Sequence, residues 1–182
     1  MESLNIIGNM WGSSGYANHT RQLANALMKI TDVKITTPLF QWWETQTNDQ
    51  EFKAINKKDS DERTNIIIDI PFKWPAYLYK KKNIGFLVWE GDTIPKSWIN
   101  IIKDERINKI WVPSTNVYHT IQRTIKDVQY TIQMVMNKVK IVPHGVNLEL
   151  FKPKPNKAHP FTFLCNKGFR HMLDRGGLQY AI

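Results

Sequence analysis

Short apolar runs recur along the chain, and each stops at a glycine, a proline or a polar cluster. Leu4-Asn5-Ile6-Ile7 ends at Gly8, Val33 to Thr37 at Pro38, and Asn65 to Ile70 at Pro71. Ile84 to Trp89, Lys109 to Val112 and Val139 to Val142, closed by Pro143, have the same form. Their length and β-branched content read as strands. Between the first two, Leu23, Ala24, Ala26, Leu27 and Ile30 recur at three-to-four spacing, which predicts an amphipathic helix over Tyr16 to Ile30. Further helices are predicted over Pro95 to Ile102 and, capped by Ser114, from there to about Ile125. Gln41 to Thr64 is polar and holds one weak helix around Phe52, Ala54 and Ile55; long excursions of this kind are usually functional or mobile.

This alternation predicts an α/β fold with a doubly wound, Rossmann-like parallel sheet. Unbroken runs such as Ile66-Ile67-Ile68 and Phe86-Leu87-Val88 predict a sheet covered on both faces. The first domain is expected to span residues 1–151. Residues 152–160 are rich in Pro, Lys and Asn and read as a linker. Residues 161–182 offer one strand, a polar loop and half a helix, too little to bury a core alone. They read as the truncated start of a second domain. Its apolar residues are expected to pack poorly, or against a second copy in a homodimer through the tail.

Composition narrows the picture. The chain has 182 residues, and no apolar run nears the ~18 needed to span a membrane. The N-terminus lacks a signal-peptide pattern. One cysteine, Cys165, excludes an intrachain disulfide and a four-cysteine zinc site, and fits a reducing compartment. A cytoplasmic location is expected, with peripheral membrane contact left open. Lys plus Arg is 25 against 16 Asp plus Glu, a net charge of +9 that suits phosphate-rich partners. The lysines are spread, however, so runs such as Lys57-Lys58 and Lys80-Lys81-Lys82 read first as solvated surface.

In open parallel sheets, ligands bind beyond the carboxyl ends of the strands. Gly8 to Tyr16, Trp89 to Thr93, Pro113-Ser114 and His144 to Asn147 fall there. The first segment lacks both G-x-G-x-x-G spacing and the lysine of a phosphate-binding loop. Gly12 and Gly15 still allow close backbone approach, and the amides opening the next helix face an anion or a sugar hydroxyl. Ser13 or Ser14 is also a natural helix cap. Glu90 and Asp92 leave the fourth strand together; Asp92 reads first as a cap and Glu90 as a site carboxylate. His144 stands at a strand's carboxyl end, whereas His19 and His119 lie on helices, where a lone histidine is usually structural or superficial.

Taken in order, these segments resemble the GT-B glycosyltransferases of the family 4, "glycosyl transferases group 1" kind. Gly12-Ser13-Ser14-Gly15-Tyr16, followed by Thr20-Arg21-Gln22-Leu23-Ala24 and Ala26-Leu27, is similar to that family's first loop and helix. Trp89-Glu90-Gly91-Asp92, Ile94-Pro95 and Trp98, then Ile110-Trp111-Val112-Pro113-Ser114, are similar to a second stretch. Val142-Pro143-His144-Gly145-Val146-Asn147, with Phe151 and Pro153, resembles the family's domain junction, where Asn147 replaces the usual Asp. Arg170 and Arg175 resemble the basic residues that bind the donor diphosphate, although Gly176 stands where Lys is common.

The resemblance implies hexosyl transfer from a nucleotide-sugar to an acceptor hydroxyl of a glycan, lipid or protein, with retention of configuration. It implies no cofactor beyond the nucleotide-sugar co-substrate, no catalytic metal and no specific nucleic acid partner. It makes this chain the acceptor-side half, inactive or nearly so alone. Glu90 and His144 become the catalytic candidates, and Gly12, Ser13, Ser14, Gly15, Tyr16 and Asp92 the acceptor contacts. Two rival readings are a non-catalytic carbohydrate- or polyanion-binding module and a nucleic-acid binder using basic residues with the seven tryptophans. The tryptophans, however, fall where strands and helices are expected to pack.

Overall fold

The structure is a computed structural model and describes residues 3–12, 14–38, 47–126, 129–149 and 151–152. Elements run β1 (Leu4–Gly8), α1 (Gly15–Leu27), β2 (Val33–Thr36), α2 (Asp49–Ile55), β3 (Thr64–Ile68), a 3-10 helix (Pro71–Tyr77), β4 (Asn83–Phe86), α3 (Lys96–Lys103), β5 (Lys109–Val112), α4 (Thr115–Ile125), α5 (Gln129–Met136) and β6 (Val139–Ile141). The six strands form one sheet in the order β2-β1-β3-β4-β5-β6. Every neighbouring pair is parallel. The doubly wound α/β reading therefore holds, with all six strands where the apolar runs place them.

Alternation along the strands divides the core. Ile6, Ile66 and Ile68 join Ala24 of α1 and Ala54 of α2 on one face. Ile7 and Ile67 join Trp74, Trp98, Ile102, Val117 and Ile121 on the other. Parallel strands buried on both sides read as continuous apolar runs for this reason. The 3-10 helix and α5 are elements that periodicity did not predict. Pro71 and Pro75 shape the first of them, and its buried Trp74 packs against Gly85 of β4. A Cβ on Gly85 would stand 2.3 Å from the Trp74 ring, so glycine at this point is a matter of room.

The amino-terminal edge of the sheet carries a buried polar ladder. Asn5, Asn65 and Asn83 are each fully buried and stand in register on β1, β3 and β4. Asn5 Nδ2 donates to Asn65 Oδ1 at 3.0 Å, and Asn65 Nδ2 donates to Asn83 Oδ1 at 2.9 Å. Thr36 Oγ1 donates to Asn5 Oδ1 at 2.9 Å, and Asn83 Nδ2 donates to the carbonyls of Lys80 and Arg106. The amides thus complete one another's hydrogen bonding across four strands.

Two cations at this edge are buried and paired with more exposed carboxylates. Lys80 was expected on the solvated surface, yet it is 8% exposed. Its ammonium pairs with Asp59 at 3.0 Å and Asp61 at 3.4 Å and donates to the Ser60 carbonyl. These acceptors keep its buried ammonium satisfied. Arg63, also buried, pairs with Asp32 at 2.6 Å and donates to the Leu4 carbonyl.

The chain divides into two compact units, Met1–His144 and Gly145–Ile182. The expected strand and helix start over residues 161–182 lie outside the described residues, as do Ser13, Arg170 and Arg175.

Candidate active site at the carboxyl edge

The strand order sets where a ligand can enter. From β1 the chain crosses to β2 on one side, then returns past β1 to β3 and continues the other way. The carboxyl ends of β1 and β3 flank this reversal, the place where open α/β sheets bind ligands. The loops after β1, β3, β4 and β6 all emerge on that edge.

The loop after β1 is built from its own polar groups. Trp11 N donates to Asn9 Oδ1 at 2.9 Å, while Asn9 Nδ2 donates to the Trp11 carbonyl. Gly12 adopts φ 78°, a left-handed conformation that costs other residues strain. Arg21, one turn into α1, reaches back to donate to the carbonyls of Met10 at 2.7 Å and Gly12 at 3.0 Å. Ser14 caps α1 by accepting from Ala17 N at 3.2 Å. A Cβ on Gly15 would meet nothing within 4 Å, so nothing inside the protein demands glycine there. Gly8 is different: a Cβ there would stand 2.5 Å from Thr20 Oγ1, which brings α1 close against β1.

Tyr16 and His19 extend from the first turns of α1 over the strand ends. The Tyr16 hydroxyl lies 3.5 Å from the Val88 carbonyl, just past β4. Burial, with the charges of Asp69 and Glu90, raises its pKa and keeps the phenol protonated. The His19 ring meets Phe86 edge-on at 4.5 Å between centroids and lies 4.4 Å from the His144 ring. His144 also approaches Phe86, at 5.6 Å. Burial, seconded by the His144 charge, lowers His19 from 6.5 to about 4, so its ring is neutral at pH 7.

The structure therefore groups Tyr16 and His19 from α1, Glu90 after β4 and His144 after β6 around one edge. Glu90 and His144 are exposed there. Asp92 does not cap α3, correcting the first reading of that residue. The N-cap is Pro95, with no side-chain hydrogen bond, because the chain turns through Thr93 before the helix begins. The Thr93 carbonyl accepts from Trp89 Nε1 at 2.8 Å, and the Asp92 carbonyl accepts from Arg123. His119 sits on exposed helix surface beside Gln122.

Sequence reasoning missed two members of this edge. His19 looked like a lone helical histidine because its partner is 125 residues away. Asp69 was read as the end of a strand, yet it follows β3 at the reversal point. Its side chain accepts from Ile70 N at 2.8 Å and Lys73 Nζ at 3.0 Å. Its place, a carboxylate two residues before Pro71 at a strand's end, was the available signal.

Cavities of about 230 and 320 Å³ open elsewhere, at the amino-terminal edge. The first is lined by Arg63, Lys81 and Lys82 with Asp61 and Glu62, the second by Asp32, Lys53 and Lys57 among others. Mixed charge and shallow form fit gaps between surface side chains. Strand topology and the groups gathered there, not enclosed volume, distinguish the carboxyl edge. Among the described residues, no group of three or more His, Cys, Asp or Glu side chains is placed to hold a metal ion. None of their helices is long and apolar enough to cross a membrane. No protein-family model, curated protein or solved structure matches this chain.

Proposed function

We propose that this chain is the acceptor-side domain of a GT-B-type glycosyltransferase, which passes a hexosyl group from a nucleotide-sugar to an acceptor hydroxyl. One observation carries the reading. The glycine loop, the Glu90 loop and His144, which supply the three stretches of family resemblance, meet at one edge, with Tyr16 and His19 spanning them. Such an edge suits a polyhydroxylated ligand: a carboxylate that accepts, an imidazole that donates or accepts, and a phenol held protonated.

In this mechanism Glu90 and His144 hold the acceptor. One of them takes the proton of the attacking hydroxyl as the new C1–O bond forms and the nucleoside diphosphate leaves with the electrons of the old bond. Gly12, Ser14, Gly15 and Tyr16 position the acceptor, while the resemblance gives Arg170 and Arg175 the binding of the donor diphosphate. The net charge of +9 favours association with that anionic donor.

The test is nucleoside diphosphate release from a panel of nucleotide-sugars by the protein carrying this chain and its donor-side partner domain. Glu90→Gln is expected to lower turnover at least tenfold with donor affinity nearly unchanged. Equal loss of donor binding and turnover would move Glu90 off the acceptor side. Glycan binding with no release from any donor would replace the enzyme by a binding module.

A further inference from the structure

We infer that His19 is a positioning residue for His144: its buried ring, seated against Phe86, backs the exposed His144 ring and holds it at the carboxyl edge. This rests on reading the carboxyl edge as the acceptor site and adds to it a second-layer residue from α1.

The geometry makes the case. The rings are 4.4 Å apart between centroids and tilted by 57°, and both also touch Phe86. Three rings from α1, β4 and the segment after β6 thus converge on one spot. His19 Nδ1 is buried with no hydrogen-bond partner, so no carboxylate or carbonyl stabilises a charge on that nitrogen. The exposed His144 has solvent around it instead. A charge on His19 would be buried without a partner and beside a second imidazole, so the buried ring stays neutral while the exposed ring faces the solvent.

The groups facing His19 support the same division. β4 presents uncharged Phe86, and the segment after β6 presents His144 itself. On α1, Tyr16 precedes it by one turn and is neutral, and Arg21 is occupied with the carbonyls of Met10 and Gly12. The carboxylates of Asp69 and Glu90 act on Tyr16. The result is an imidazole at the site that is held by a ring behind it.

Histidine-labelled NMR titration of the 182-residue chain tests this without any sugar donor. The wild type should show the His19 ring still neutral at pH 5, with its midpoint near 4, and contacts between the two rings. In His144→Gln the His19 midpoint should rise by roughly half a pH unit or more, because the like charge is gone. His19→Gln should change the tautomer balance of His144, and His19→Phe should preserve its ring-current shifts while abolishing the coupling. His19 titrating near 6.5, or staying unmoved in His144→Gln, would overturn the proposal. Should a variant lose its folded amide spectrum, the parent decides alone: His144 resonances that move again at the His19 step support the pair, and independent single steps refute it. A protein that shows the pair yet releases no nucleoside diphosphate keeps this inference and loses the glycosyltransferase reading.

Discussion

The two edges of the sheet handle polar groups in opposite ways. At the amino-terminal edge, three buried asparagines, Lys80 and Arg63 find partners within the fold. Arg63 Nε alone is left without one. At the carboxyl edge, Glu90 and His144 face solvent and make no hydrogen bond among the described residues, and a buried nitrogen of His19 is unpaired. Both edges are rich in polar residues, so composition does not separate them. What separates them is satisfaction. A satisfied buried network rigidifies, whereas unsatisfied groups retain capacity for an outside partner.

The comparison breaks most readily at the ladder. Asn65→Leu removes the acceptor for Asn5 and the donor for Asn83 and for the Tyr77 carbonyl, all at a buried position. A loss of about 3–5 kcal/mol in urea-unfolding stability is expected, several orphaned groups at about 1–3 kcal/mol each with partial relaxation. A loss below 1 kcal/mol would mean that water readily replaces the ladder.

A smaller effect is expected at Asp32, which is half-exposed but counters the buried Arg63. Asp32→Ala should cost about 1–3 kcal/mol at pH 7, from the guanidinium left without its carboxylate. The hydrogen bond from Lys57, with Arg63 in support, outweighs burial and holds the Asp32 pKa below 3.8 in the folded chain. Its contribution is therefore full above that value and fades as pH falls through the folded pKa. Parent and variant stabilities, compared by denaturant melts from pH 7 to 2, should converge at the acid end. A constant gap would remove the charge from the explanation.

The smallest effect should come from the other edge. Glu90→Ala should change stability by no more than about 0.5 kcal/mol in the same melts, since this carboxylate holds nothing in place. A cost above 1 kcal/mol would show that Glu90 belongs to the scaffold and erase the contrast between the edges.

How much of this was legible in advance follows from the range of the forces. Strands such as Ile66 to Ile68 announce themselves because burial on both faces leaves no polar position in the run. Ser14 and Ser114 were readable as caps because capping acts over three residues. The His19–His144 contact, the asparagine ladder and the burial of Lys80 were not, because each joins residues brought together by strand order alone. The 3-10 helix escaped for a different reason: two prolines in seven residues mask any helical period. At the site, Glu90 and His144 were found by counting strand ends, and Asp69 was missed by the same count because its strand was read two residues too long.

The position of β1 gives the asparagine ladder a consequence in time. Asn5 on β1 precedes its partner Asn65 by 60 residues, and the ladder closes only at Asn83, 78 residues after Asn5. At a synthesis rate of about 5–20 residues per second, roughly 4–16 s separate them. For that interval β1 can pair with β2, whose Thr36 serves Asn5 Oδ1, but its other flank is empty and Asn5 Nδ2 waits for Asn65. β1 is thus a vacancy between neighbours, and the nascent chain must protect its open edge until β3 and β4 arrive.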